Sequence, residues 1–153
     1  MLAVGQSFPD FNLQNQDHEP MSLRDFRGKW VVLFVYPKDD TPGCTLEGKS
    51  FSAAKEQFTQ VGAVAIGLSE DDAESHKNFC TKHGFTVPLL ADPKAELLKQ
   101  AGVTQSEHKG VMYWDRTTFL IDPSGLVRKV YEKVKPEGHE KQVLEDIKRL
   151  QSH

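Results

Sequence analysis

Two apolar, β-branched runs, Trp30–Tyr36 and Ala63–Leu68, flank a stretch with helical spacing, and that order constrains the fold more than any other feature. Between Cys44 and Val61 the residues Leu46, Ser50, Ala53, Ala54, Phe58 and Val61 recur at three- to four-residue intervals, which predicts one amphipathic helix. Strand, helix and strand at this length make a crossover, so the two strands pair in parallel. Runs that are apolar at nearly every position belong to a sheet covered on both faces. Phe119–Ile121 is a third such run.

The other segments complete an α/β layout. A helix is expected from about Asp71 to His83, with Ser69 as its N-cap and Gly84 just past its end. A short strand near Val87–Leu90 and a helix near Lys94–Gln100 follow. Asp122-Pro-Ser-Gly125 reads as the turn of an antiparallel hairpin that begins with Phe119–Ile121. Val143, Leu144, Ile147 and Leu150 line one face of a closing helix, and the Phe8–Ser22 stretch reads as an added hairpin. Together these predict a single domain over residues 1–153. It is an α/β, thioredoxin-like sandwich with a central mixed sheet flanked by helices and an N-terminal β-hairpin extension. A doubly wound, flavodoxin-type sheet is the alternative, but it needs more parallel crossovers than these segments supply.

Composition narrows the function classes. Nineteen basic residues against 22 acidic ones give a net charge of −3, with no general field for phosphate backbones, so no nucleic-acid partner is expected. No run approaches the ~18–20 apolar residues of a membrane span. The first residues lack the basic start and apolar stretch of a signal peptide, so the expected location is the cytoplasm, where thiols stay reduced. Two cysteines, Cys44 and Cys80, are too few for a disulfide-built scaffold or a four-cysteine zinc site. No Gly-rich phosphate loop is present, and no cofactor or metal is expected. The six histidines show no ligand spacing beyond Cys80-x-x-His83, which reads as coincidence on a polar helix. Asp39-Asp40 and Asp71-Asp72 read as turn and helix-start acids. Tyr113 and Trp114 either border a pocket or fill a core edge.

The chemistry concentrates in Tyr36-Pro-Lys-Asp-Asp-Thr-Pro-Gly-Cys-Thr-Leu-Glu47, which joins the end of the first buried strand to the long helix. Open α/β sheets place their sites at such strand ends. With Thr41 as N-cap and Pro42 at the first helical position, Cys44 falls in the first turn, where backbone N–H groups lack helical partners. A sulfur there meets the positive end of the helix dipole, which favours the thiolate. Cys44 is thus either a reactive thiol or one more small hydrophobe at a strand–helix junction. Asp39, Asp40 and Glu47 oppose a thiolate, so a cation is required from elsewhere in the fold. Arg116, at the start of Arg-Thr-Thr-Phe-Leu-Ile-Asp122, is the best candidate; its alternative is a solvated strand end.

At this point a resemblance becomes specific. Pro37-x-x-x-Thr41-x-x-Cys44 resembles the active-site signature of the peroxiredoxins, which are thiol peroxidases. The surrounding Phe-Val-Tyr-Pro-Lys-Asp-Asp-Thr-Pro-Gly-Cys-Thr, with Arg-Thr-Thr-Phe-Leu-Ile-Asp-Pro-Ser-Gly downstream, is similar to the peroxiredoxin Q, or bacterioferritin comigratory protein, subgroup. The similarity runs nearly end to end, including Phe8-Pro-Asp-Phe-x-Leu13 and Leu23-x-x-Phe-Arg-Gly-Lys29. The resemblance implies that Cys44 attacks hydrogen peroxide or an organic hydroperoxide and becomes a sulfenic acid. It also implies that Thr41 and the Cys44 N–H bind the peroxide, that Arg116 stabilises the charge, and that Pro37 walls the pocket. Glu47 fits as the group that orients Arg116.

Many members of the subgroup carry a resolving cysteine five residues after the peroxidatic one, and here that position is Lys49. Other members resemble this chain in using a cysteine on a different helix, which makes Cys80 the expected resolver through an intramolecular disulfide. Reduction by thioredoxin or a similar dithiol donor then follows from the resemblance, and a resolver in the same chain makes a monomer sufficient. A disulfide needs Cα atoms within about 7 Å, so the Cys80 helix is expected to unwind when Cys44 is oxidised. Its thin apolar face (Ala73, Phe79 and Cys80) and Gly48 in the first helix favour such opening. Two rivals remain. A disulfide reductase shares the fold but wants Cys-x-x-Cys where this chain has Cys44-Thr-Leu-Glu47, and a non-catalytic redox sensor would use the same two thiols.

Overall fold

The computed structural model describes residues 1–152; His153, one of the six histidines, lies outside them. A small antiparallel hairpin, β1 (Asn12–Gln14) and β2 (Pro20–Ser22), leads through a 3-10 turn at Leu23–Phe26 into β3 (Trp30–Val35). Next come α1 (Pro42–Ala53), α2 (Lys55–Gln60), β4 (Ala63–Ser69), α3 (Ala73–His83), β5 (Leu89–Ala91) and α4 (Glu96–Gln100). The hairpin β6 (Gln105–His108) and β7 (Val111–Trp114), the strands β8 (Thr117–Ile121) and β9 (Val127–Tyr131), and α5 (His139–Gln151) complete the chain.

Five strands form the central sheet in the order β5-β4-β3-β8-β9. The β3–β4 and β4–β5 pairs are parallel, and β3–β8 and β8–β9 are antiparallel, so the sheet is mixed as the sequence predicts. This is the thioredoxin-like arrangement, with β3 at its centre and buried at every position. Because side chains alternate along a strand, β3 feeds two cores. Trp30, Val32 and Phe34 face a cluster with Phe51, Phe58, Phe79, Val143 and Ile147, which come from α1, α2, α3 and α5. Val31, Leu33 and Val35 face the other, with Phe8, Phe11, Leu97 and Leu98 from the N-terminal segment and α4.

Several sequence expectations need correction. The single helix over Cys44–Val61 is two helices that start at Pro42 and break at Ala54, where φ is −91° and ψ is 3°. Side-chain periodicity does not register the break, since Phe51 and Phe58 stay in the same core on both sides of it. Ser69 is not the N-cap of α3. It ends β4 opposite Ala91, and Asp72 caps the helix by accepting the Ser75 N–H at 2.8 Å. Gly84 does end α3, in the left-handed conformation at φ 68°. The strand expected near Val87–Leu90 is β5, and the helix expected near Lys94–Gln100 starts later, at Glu96. The β6–β7 hairpin was not expected. All of β6 and the first half of β7 are exposed, so no inward-facing pattern marks them, although Lys109 and Gly110 both take the positive φ of a tight hairpin turn.

Candidate active site

The crossover from β3 to α1 delivers Tyr36 and residues 37–41 to the carboxyl end of the sheet. Thr41 occupies the N-cap position and Pro42 the first helical one. The Thr41 hydroxyl does not cap the helix, because it donates to the Lys38 carbonyl at 3.0 Å. Cys44 lies in the first turn of α1, 2% exposed. Pro37 is half-buried at the start of the loop.

Antiparallel pairing of Val35 with Thr117 carries Arg116, the residue before β8, to the end of β3 and over the start of α1. Arg116 Nη2 donates to Cys44 Sγ at 3.4 Å, and Nη1 donates to Glu47 Oε1 at 2.8 Å. Arg116 is therefore not a solvated strand end. Burial works against its charge, and the neighbouring Cys44 and Glu47 more than offset this, leaving its pKa above the ordinary value. The approach also explains Gly43, since a Cβ there would stand 2.9 Å from Nη2. Glu47 is 1% exposed, and its second oxygen, Oε2, has no partner among the described residues. Burial pushes its carboxyl up to about 7, against the opposing pull of Arg116.

Asp39 and Asp40, the acids expected to oppose the thiolate, are turned toward α3. Asp39 accepts from Tyr36 Oη at 2.6 Å and Ser75 Oγ at 2.7 Å and meets His76 Nδ1 at 2.7 Å. Asp40 binds Lys82 Nζ at 2.8 Å and His83 Nε2 at 3.0 Å. His83 is thus engaged with Asp40. The α3 face is fuller than the sequence suggested, because His76 is fully buried on it beside Ala73, Phe79 and Cys80. The spacing of His76 from Phe79 and Cys80 carried that signal. Asp39, Asp71 and His76 offer ligand atoms within 4.8 Å of one another, but Asp39 already spends its oxygens on these hydrogen bonds.

Cys80 is buried in α3 and belongs to the same core cluster as Cys44, and both are free thiols. Burial, then the charges of Asp39 and Asp17, push the Cys80 thiol up to about 12. Trp114 packs in the opposite core and donates from Nε1 to Glu70 Oε2 at 3.0 Å, so it fills a core edge. His139, at the first position of α5, was not singled out by sequence. It is buried against Phe51 and Tyr131, and its Nε2 lies 2.8 Å from Thr118 Oγ1. Burial and the Arg116 charge lower its pKa to about 4, against an opposing pull from Asp146.

A thiol fixed under a guanidinium at a helix start, on this sheet, marks a thiol-based redox protein. The family model described as AhpC/TSA family matches residues 4–130, and the chain belongs to that family. Within it, the relatives are peroxiredoxins named Bcp or Q. Peroxiredoxin Bcp of Bacillus subtilis is 38% identical over 150 residues, covering 96% of each chain. A PrxQ mutant structure from Xylella fastidiosa superposes with a TM-score of 0.92 at 34% identity, covering 97% of each chain. The bacterioferritin comigratory protein of Xanthomonas campestris, described for its alkyl peroxide reduction activity, superposes with a TM-score of 0.87 at 36% identity over 97% of each chain. Like these relatives, the chain is a thiol-dependent peroxidase of the peroxiredoxin type.

Proposed function

We propose that Cys44 reduces hydrogen peroxide and organic hydroperoxides, that Cys80 resolves the product, and that thioredoxin or a similar dithiol donor recycles the enzyme. The observation that carries the reading is the Arg116 bridge, with one nitrogen on Cys44 Sγ and the other on Glu47. The thiolate attacks one peroxide oxygen, the O–O bond breaks, and the departing alkoxide or hydroxide takes a proton to leave as alcohol or water. Arg116 stabilises negative charge on sulfur and then on the separating oxygens. The Thr41 hydroxyl donates its hydrogen bond to the Lys38 carbonyl, so its oxygen is free to accept the peroxide O–H, while the Cys44 N–H donates to the second oxygen. Pro37 screens the sulfenic acid from further peroxide. The activity described for the Xanthomonas campestris relative supports including alkyl hydroperoxides.

Resolution balances as Cys44–SOH plus Cys80–SH giving the disulfide and water, and a dithiol donor returns both thiols. Because both cysteines lie in one chain, a monomer suffices for the cycle, and the cytoplasm, where thiols stay reduced, is its proposed setting. Cys80→Ser tests the assignment. The first turnover with peroxide should be intact, the loss of two thiol hydrogens that mass spectrometry should show for the oxidised wild type should be absent, and thioredoxin-coupled recycling should fail. Normal recycling in that variant would remove Cys80 from the mechanism.

A further inference from the structure

The loop that presents Cys44 and the helix that carries Cys80 are joined by a buried polar cluster with no part in peroxide chemistry. Asp39, 8% exposed, stands in that loop, and His76, fully buried, lies one helical turn before Cys80 on α3. His76 Nε2 lies 2.8 Å from the Leu90 carbonyl, which only accepts, so Nε2 carries a proton. Nδ1 meets Asp39 Oδ2 at 2.7 Å, a short contact between two buried side chains. Tyr36 Oη and Ser75 Oγ donate to the same carboxylate, and the Asp39 N–H donates to Asp71 Oδ2 at 2.9 Å. Beyond Cys80, the exposed pairs from Lys82 and His83 to Asp40 make a second attachment to the same loop. Cys80 is therefore held between two points of contact with the segment that leads to Cys44.

We propose that Asp39 and His76 latch the Cys80 helix to the catalytic loop, and that opening this latch sets the rate at which the Cys44 sulfenic acid is resolved. The inference rests on the reading of Cys80 as resolver. While the latch is closed, α3 stays helical and Cys80 is fixed in its own helix; when it opens, residues around Cys80 unwind toward Cys44 and the disulfide forms with loss of water. The Asp39 charge also helps hold the Cys80 thiol protonated, so release moves Cys80 away from a group that suppresses its thiolate. The buried pair dominates over the Asp40 pairs, because exposed ion pairs contribute little. A slow latch lengthens the life of the sulfenic acid and leaves it open to a second peroxide.

Asp39→Asn keeps the shape of the carboxylate but removes its charge and one of the acceptor oxygens that Tyr36, Ser75 and His76 share; His76→Gln removes the ring. After one equivalent of hydrogen peroxide, acid quenching and non-reducing mass analysis give the rate of disulfide formation. Both variants should raise that rate by at least about tenfold, the scale of a charge-assisted hydrogen bond, and form less sulfinic acid at matched peroxide. Asp40→Asn should change the rate by less than about twofold. A role confined to stability would lower the melting temperature without speeding resolution. An unchanged or slower rate in Asp39→Asn overturns the latch, whether or not His76→Gln folds. Cys80→Ser separates the two ideas: if it still recycles normally, the resolver assignment itself fails, whereas if it blocks the disulfide and Asp39→Asn leaves the rate unaltered, only the latch fails.

Discussion

Arg116 is one cation shared between the Cys44 sulfur and the Glu47 carboxyl. The Glu47 carboxyl is buried, with Oε2 lacking a partner among the described residues, and burial pushes it up to about 7. Its folded value lies above its ordinary 4.5, so the native state binds the extra proton. The resulting stabilisation is complete below about 4.5 and is lost as pH rises through about 7. Glu47→Gln does not titrate, so its stability relative to wild type should climb across that window in urea melts; a constant difference would contradict the assignment. Removing the guanidinium in Arg116→Met should slow the peroxide reaction on the order of a hundredfold, the usual loss for a donor aimed at developing charge. Gly43→Ala should slow it in the same direction by displacing Nη2 from the sulfur, as second-order rates would show. The sequence asked for a cation near Cys44 and offered Arg116, but the strand pattern alone left it open as a solvated strand end, and only the family resemblance singled it out. The destination of Asp39 was not legible, since adjacent acids in a loop carry no mark of which neighbour they will meet.

At the scale of elements, α1 packs at Gly48 against the segment that follows α3. A Cβ there would stand 2.5 Å from the Phe85 ring, so the glycine read from sequence as a weak point in a helix is a packing requirement. Alanine at this position gains helix propensity of about 1 kcal/mol. Overpacking against the ring costs about 1–3 kcal/mol, so Gly48→Ala should be destabilising on balance. Phe85→Leu added to Gly48→Ala should recover part of the loss, as denaturant midpoints would reveal; a stabilised single variant would show that the ring moves freely. Helix positions were readable where apolar spacing was strong, as in α5 with Val143 and Ile147. They were misread where capping chemistry competed: Ser69 and Asp72 are both good caps, and only the extension of β4 to pair with Ala91 decides for Asp72. Hydrogen exchange should show α3 and the start of α1 less protected in oxidised than in reduced protein. Equal protection of both helices would rule out unwinding as the route to the disulfide.

At the scale of the molecule, β3 stands between two cores, and its end carries the site. Phe51, fully buried and stacked on Phe34 at 4.5 Å, ties α1 to the sheet. Its truncation to Ala should cost about 3–5 kcal/mol in unfolding free energy. The sheet was legible because Trp30–Val35, Ala63–Leu68 and Phe119–Ile121 read as apolar runs and supply most of β3, β4 and β8, whereas the exposed β6–β7 hairpin left no such pattern. Buried polar groups were the hardest to foresee, His76 and His139 above all, because their partners come from strands and loops distant in sequence. The proposed function requires that this architecture make Cys44 a peroxide-reducing thiol. Stopped-flow mixing of the reduced protein with hydrogen peroxide tests it directly: the expected second-order rate constant lies orders of magnitude above that of free cysteine and is abolished in Cys44→Ser. A rate no faster than free cysteine, or one that survives the loss of Cys44, would contradict it.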